Sequence, residues 1–275
     1  MSSTTSPLPG DATLATRLSR GLGLLPQQSE LVAALVAREL KLRYRGTALG
    51  IVWSLANPLA FCLVLYLAVR HVMRVEIEDY PLFLLSALFP WQWLSSSVNS
   101  ASTLFTSNVS VIKKLPLPRL SLCLSSVLAE TIHFGVTIPV FGALLWIAHG
   151  TPPPLVWLAG VPLLVLIQTV TTVSLVLAIA TANVFLRDLE QLVRVLLLLV
   201  FYVTPILYPL SMVPADLHWL VALNPVGPLV VAWRALLLDG TLSPWIAIAA
   251  VHAVWLSAVA FLVHHRAGWR VPEAV

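Results

Sequence analysis

Charge is scarce in this chain. Asp, Glu, Lys and Arg make up 10% of its 275 residues, against about 25% in a soluble domain. So few charges cannot cover a surface that faces water, which excludes an ordinary soluble globule. Cysteine is almost absent as well: Cys62 and Cys123 stand alone, so a disulfide scaffold is excluded. One falls near mid-depth of the first apolar run and the other near the start of the third, too far apart along a membrane normal to bridge, and both read as packing residues. The sequence has no G-x-x-x-x-G-K-[ST], no G-x-G-x-x-G, no H-E-x-x-H and no C-x-x-C. Phosphate loop, dinucleotide turn, zinc-protease helix and redox pair are thereby excluded, and no cofactor is expected on this chain.

What is plentiful is apolar side chain, at 59% of residues, with a mean hydropathy of +0.91. Six runs, at 49–72, 80–100, 120–147, 155–185, 192–208 and 244–263, are each near or above the ~17 to 25 residues that cross ~30 Å of hydrocarbon. The expected fold is therefore an all-α integral membrane protein with six transmembrane helices. The stretch 209–240 is apolar but cut by Pro209, Pro214, Pro225 and Pro228. Its pieces, 214–222 and 228–238, hold about ten residues each, too few to span at ~1.5 Å per residue. Two short re-entrant helices between spans five and six are the better reading. The expected division is a flexible cytoplasmic arm at 1–26, an amphipathic interfacial helix at 27–48, a six-span domain at 49–266 and a cytoplasmic tail at 267–275.

Cation placement sets orientation. With both termini inside, the cytoplasmic side holds Arg17, Arg20, Arg38, Lys41, Arg43, Arg45, Lys113, Lys114, Arg119, Arg187, Arg194, Arg266 and Arg270, which is 13 of the 16 Lys and Arg, while Arg70, Arg74 and Arg234 lie outside. Both termini are therefore expected in the cytoplasm. The formal net charge of +4 is absorbed by topology and calls for no nucleic acid.

Several residue patterns carry candidate chemistry. Over 27–45, Leu31, Val32, Leu35, Val36 and Leu42 share an arc beside a basic stripe of Arg38, Lys41 and Arg45, interrupted by Glu39 and Arg43. Such a helix either lies in the headgroup plane or is a solvated helix whose charges set topology. The connection 108–118 combines apolar Ile112 and Leu115 with basic Lys113 and Lys114, and 185–191 carries Arg187, Asp188 and Leu189. Each is either a docking element for a soluble partner or a plain turn. Within the spans, Glu130 and His133 share a helix face and read as a proton relay or a buried structural pair, while Glu190 and Arg194 are spaced to pair with each other. Aromatic spacings align Trp53, Asn57 and Phe61 on the first span, Phe89 and Trp93 on the second, and Phe201 with Tyr208 on the fifth. Such stripes either line one conduit or fill helix interfaces and interfacial belts. Trp91 points away from Phe89 and Trp93.

The run at 40–53, Leu-Lys-Leu-Arg-Tyr-Arg-Gly-Thr-Ala-Leu-Gly-Ile-Val-Trp, followed by Asn57-Pro58, resembles the start of the ABC-2 type membrane subunits that export polysaccharides and teichoic acids. The 108–118 run, the Arg187-Asp188-Leu189 triplet and Asn224-Pro225 resemble further landmarks of that family in the same order. The match at residue level is closest at Tyr44, Arg45, Gly46, Leu49, Gly50 and Trp53. The resemblance implies a homodimeric permease of the bacterial cytoplasmic membrane. It would join two copies of a separate ATPase, which carries ATP and magnesium, and move a lipid-linked glycan outward without being an enzyme itself. On that similarity 27–45 is a gate helix placing Arg38, Lys41, Tyr44 and Arg45 on the substrate path. Asn108, Ile112, Lys113, Lys114 and Leu115, with the 187–189 triplet, couple to the ATPase, and 209–240 forms external re-entrant helices. Two competing functions are an ABC-2 exporter of drugs or other hydrophobic small molecules, which calls for a smooth aliphatic pore, and a polyprenyl-lipid membrane enzyme. The enzyme needs a cluster of acids, for which Glu76, Glu78 and Asp79 are the candidates.

Overall fold

The computed structural model describes residues 14–44, 52–68, 79–109, 118–186 and 188–267, and side chains within them except at 14–27, 44, 53, 54 and 267. Among the described residues the structure is all helix and connection, with no strand. The helices are α1 (Leu14–Tyr44), α2 (Val52–Leu67), α3 (Tyr80–Ser107), α4 (Arg119–His149), α5 (Trp157–Asn183), α6 (Leu189–Val203), α7 (His218–Leu223), α8 (Gly227–Leu237) and α9 (Trp245–Ala267). Three of them, α4, α5 and α9, are long and apolar enough to cross a membrane, which makes the chain a multi-pass membrane protein.

The other expected spans meet specific physical obstacles. The 28 residues of α3 give length enough, but Gln92 and the Ser, Asn and Thr residues of 95–107 dilute its apolar content. Helix α6 has 15 residues and ends at Val203 instead of continuing to Tyr208. Pro205 is the reason: it disfavours helical backbone at the residue before it, and Thr204 is extended at φ −76° and ψ 137°. Helix α2 is described over 16 residues, and its expected outer end at 69–72 lies outside the described residues. Helix α1 begins at Leu14, so the latter half of the expected arm is helical; Leu14, Leu18, Leu22 and Leu25 recur there at helical spacing.

The proline-cut stretch forms short helices. The segments Ala215–Leu223 and Gly227–Leu237 meet at 104°, a bend organised by Asn224. Its side-chain oxygen accepts from the Val226 amide at 3.0 Å, and its Nδ2 donates to Thr204 Oγ1 at 2.8 Å. A Cβ on Gly227 would press into the Val221 carbonyl oxygen, so glycine permits the close approach at the bend. Arg234 on α8 clasps the end of α6. Its guanidinium donates to the carbonyls of Pro205 at 2.7 Å and Ile206 at 2.9 Å, and its Cζ lies 3.7 Å from the centre of the Phe83 ring.

Helix α3 is the hub, packing against α2, α4, α5, α6 and α8, while α5 packs on α9 and α1 on α4. The main core lies where α3, α4, α5 and α8 meet. Trp93 stacks on Phe134 with ring centres 4.9 Å apart, and Phe134 meets Trp233 edge-on at 5.0 Å. A buried amide links three helices in this core: Trp233 Nε1 donates to Gln168 Oε1 at 2.6 Å, and Gln168 Nε2 donates to the Pro90 carbonyl at 2.8 Å. On the side of the bundle where α3 starts and α4 ends, His149 Nε2 lies 2.7 Å from Asp79 Oδ2. By contrast α2 buries only Pro58 and Cys62 among its described side chains, and α6 only Val193 and Phe201.

Candidate substrate cleft

Along α3, Gln92, Ser95, Ser96 and Asn99 fall at i, i+3, i+4 and i+7 and so share one face. That face opens toward α2 and α6. The cleft there has a volume of about 360 Å³ and is lined by Asn57, Phe61, Leu88 and Trp91 together with the four polar residues. It holds no formal charge. The Ser95 hydroxyl donates to the Gln92 carbonyl at 3.3 Å, whereas the amides of Gln92 and Asn99 make no side-chain hydrogen bond among the described residues. Three aromatic rings converge at its rim: Phe201 lies 6.0 Å from Phe61 and 5.5 Å from Trp91. Flat apolar rings beside neutral amides and hydroxyls suit a ligand with C–H faces and many hydroxyl groups.

Next to the cleft, across Ser96, a smaller cavity of about 100 Å³ is lined by Arg43, Gln92, Ser96, Glu130, His133 and Thr137, among others. Arg43 of α1 pairs with Glu130 of α4, and Ser96 Oγ donates to the same carboxylate at 2.9 Å. A second contact of α1 reaches the end of α3: Arg38 Nη1 donates to Asn108 Oδ1 at 3.1 Å, while Asn108 Nδ2 donates to the Leu104 carbonyl at 2.9 Å. Glu190 and Arg194 form an ion pair on α6, as their spacing suggested.

The expected path residues divide. Asn57 and Phe61 line the cleft and Phe201 stands at its rim, but Phe89 and Trp93 border the smaller neighbouring cavity and are buried at 2% and 3% exposure. There Phe89 meets Phe141 at 6.4 Å. Tyr208 lies beyond the end of α6, so helical spacing does not align it with Phe201; its hydroxyl donates to the carbonyls of Tyr202 at 3.2 Å and Val203 at 3.1 Å. Lys41 is exposed on α1. Asp188 and Leu189 sit at the start of α6, Asp188 exposed and Leu189 half-buried. Arg45, Ile112, Lys113, Lys114, Leu115 and Arg187 lie outside the described residues, as do the side chains of Tyr44 and Trp53. Sequence reasoning missed Gln92, Ser95 and Asn99, whose signal was a polar helical stripe inside an apolar run. It also missed Arg43, whose signal was a cation breaking the apolar arc while Glu130 stood without a partner.

Apolar helices gathered around a neutral, aromatic-edged cleft make a multi-pass membrane chain of the transporter class. Residues 30–238 match the model of the ABC-2 type transporter family, and the chain belongs to that family. It is 36% identical, over 94% of its length and 99% of the relative's, to the O-antigen export system permease protein RfbA of Klebsiella pneumoniae. The protein of that name from Myxococcus xanthus is 35% identical over 88% of this chain and 94% of its own length. The polysialic acid transport protein KpsM of Escherichia coli is 25% identical over 78% and 84%.

Proposed function

We infer that this chain is the permease subunit of an ATP-driven exporter that moves a lipid-linked polysaccharide of O-antigen type outward across the bacterial cytoplasmic membrane. The observation that carries this reading is the uncharged stripe of Gln92, Ser95, Ser96 and Asn99 that shares a cleft with Phe61 and Trp91. Polar side chains of a membrane helix face a bundle interior or a water-filled cavity, and neutral donors beside aromatic faces match a sugar polymer. A smooth aliphatic wall, as an exporter of apolar small molecules would call for, is not what lines this cleft. The relatives named for O-antigen export and polysialic acid transport support the same cargo class.

The reading carries finer assignments. Two copies of the chain face each other across α2 and α6, whose uncovered apolar surfaces and shared cleft would line a common path. Two copies of a separate ATPase bind ATP and magnesium and dock on 108–118 and 187–189. Helix α1 serves as an interfacial gate helix, six segments span with both termini cytoplasmic, and the bent α7–α8 pair is re-entrant on the outer side. Deleting the chain from its host and measuring surface glycan by immunoblot tests the function. Wild type should restore surface glycan; Trp91→Ala and Gln92→Leu should restore it poorly while reaching wild-type membrane levels. Full surface glycan without the chain would refute the reading.

A further inference from the structure

Glu130 is the one carboxylate in the 31 residues of α4, and its side chain is 7% exposed. A buried acid in a membrane helix persists where it is paired, and it marks function by default. Two of its partners come from different elements. Arg43 belongs to α1, with a side chain 39% exposed. Ser96 belongs to α3, donates to the carboxylate at 2.9 Å and also lines the cleft. One carboxylate thus stands between a helix at the edge of the bundle and the wall of the proposed substrate path.

Helix α1 packs along α4 with most of its described side chains not buried. A groove of about 750 Å³ separates parts of it from α4, lined by Val32, Val36 and Leu40 on one side and Leu120, Leu124 and Leu128 on the other. Of the described side chains of α1, only Val36 is buried. Among its polar contacts, Arg43 reaches Glu130 and Arg38 reaches Asn108. A helix fixed at points over a groove pivots when a point is released, and an ion pair that forms or breaks supplies two discrete positions.

We propose that Glu130 is a positioning residue for transport: paired with Arg43 it seats α1 against the bundle, and through Ser96 that seating depends on what occupies the cleft. This rests on the permease reading above. A glycan oxygen that accepts from Ser96 withdraws one of the carboxylate's hydrogen bonds and changes how Glu130 can hold Arg43. Binding in the cleft and the position of α1 are then linked through one side chain.

The test uses the full chain co-expressed with its ATPase in membranes, with both native cysteines replaced and cysteines introduced by Ala37→Cys and Leu128→Cys, which line the two sides of the groove. A bismaleimide cross-linker reports α1 seating, and surface glycan reports export. In the wild-type background cross-linking should change at least twofold on adding ATP. In Glu130→Gln and in Arg43→Gln it should become insensitive to ATP, with export down at least tenfold. The exchanged pair Arg43→Glu/Glu130→Arg should recover both to within threefold. Arg43 is exposed enough for its variant to fold even if Glu130→Gln does not. ATP-dependent cross-linking and export unchanged in both single variants overturn the proposal, as does lost export with wild-type cross-linking. Absence of export by the wild-type chain brings down the permease reading itself.

Discussion

Replacing Gln168 by Leu removes the amide that joins α3, α5 and α8 while nearly keeping its volume. Two groups lose a partner: the Trp233 indole N–H, held at 2.6 Å, and the Pro90 carbonyl, held at 2.8 Å. Trp233 and Gln168 are 0% and 1% exposed, so water cannot stand in for the lost bonds. An unsatisfied buried donor is destabilising by about 1–3 kcal/mol. The carbonyl is the lesser loss, because an oxygen has a second lone pair available to the helix. Side-chain hydrogen bonds between membrane helices average about 0.6 kcal/mol and reach about 1.7, which lowers the expectation. The sum is about 2 kcal/mol. Unfolding of the purified chain in mixed micelles, titrated with SDS and followed by circular dichroism, measures it. Trp233→Phe completes a double-mutant cycle, and the coupling between the two positions should be about 1 kcal/mol. A Gln168→Leu variant as stable as wild type, or strictly additive losses, would refute the claim that this amide ties the frame together.

Arg234→Lys retains the charge but loses the planar fork that reaches two carbonyls; it should destabilise by about 1–3 kcal/mol in the same titration and speed protease cleavage after 204. Gly227→Ala drives a methyl group into the Val221 carbonyl and should open the α7–α8 bend at about 1–3 kcal/mol of stability, measured as a changed distance between spin labels on the two helices. Ile112→Asp or Leu115→Asp should reduce co-purification of the ATPase at least tenfold with the permease still in the membrane; unchanged recovery would remove 108–118 from the docking surface. The chain purified alone should hydrolyse no ATP, since it has no phosphate loop, and contaminant-free activity would contradict the division of labour.

The sequence was most legible where a covalent constraint dominates. Proline fixed the breaks in 209–240, so the short α8 was readable to within one residue at each end, while α7 starts at His218, four residues after the expected 214. The same constraint was overlooked at Pro205, where an unbroken apolar run on both sides outweighed the one residue that ends α6. Helix existence followed from apolar length, but which way each face turns did not, because chains of Leu, Val and Ala give little contrast around the helix. The aromatic stripe on α3 illustrates this: Phe89 and Trp93 align as expected, yet they face Phe141 and Phe134, while Trp91 looks toward α6. Polar residues in apolar surroundings held a stronger signal, taken up at Glu130 but overlooked at Gln168 and the Gln92 stripe. Gln168, Glu130 and the Gln92 stripe each end at a defined partner or in the cleft, because a buried polar group must be satisfied where an apolar one need only be covered.

The helix at the centre of the bundle is also one poorly suited to staying in a bilayer alone. Helices α4, α5 and α9 carry enough apolar length to partition into lipid independently. Helix α3 does not, since its polar stripe faces the cleft, yet it contacts five other helices. During biosynthesis α3 emerges before α4, α5 and α9, so it must wait at the insertion machinery or the headgroup layer until later segments arrive to shelter it. The residues that make the cleft polar thus set an order of assembly, in which the cleft wall is sealed into the membrane by helices made after it.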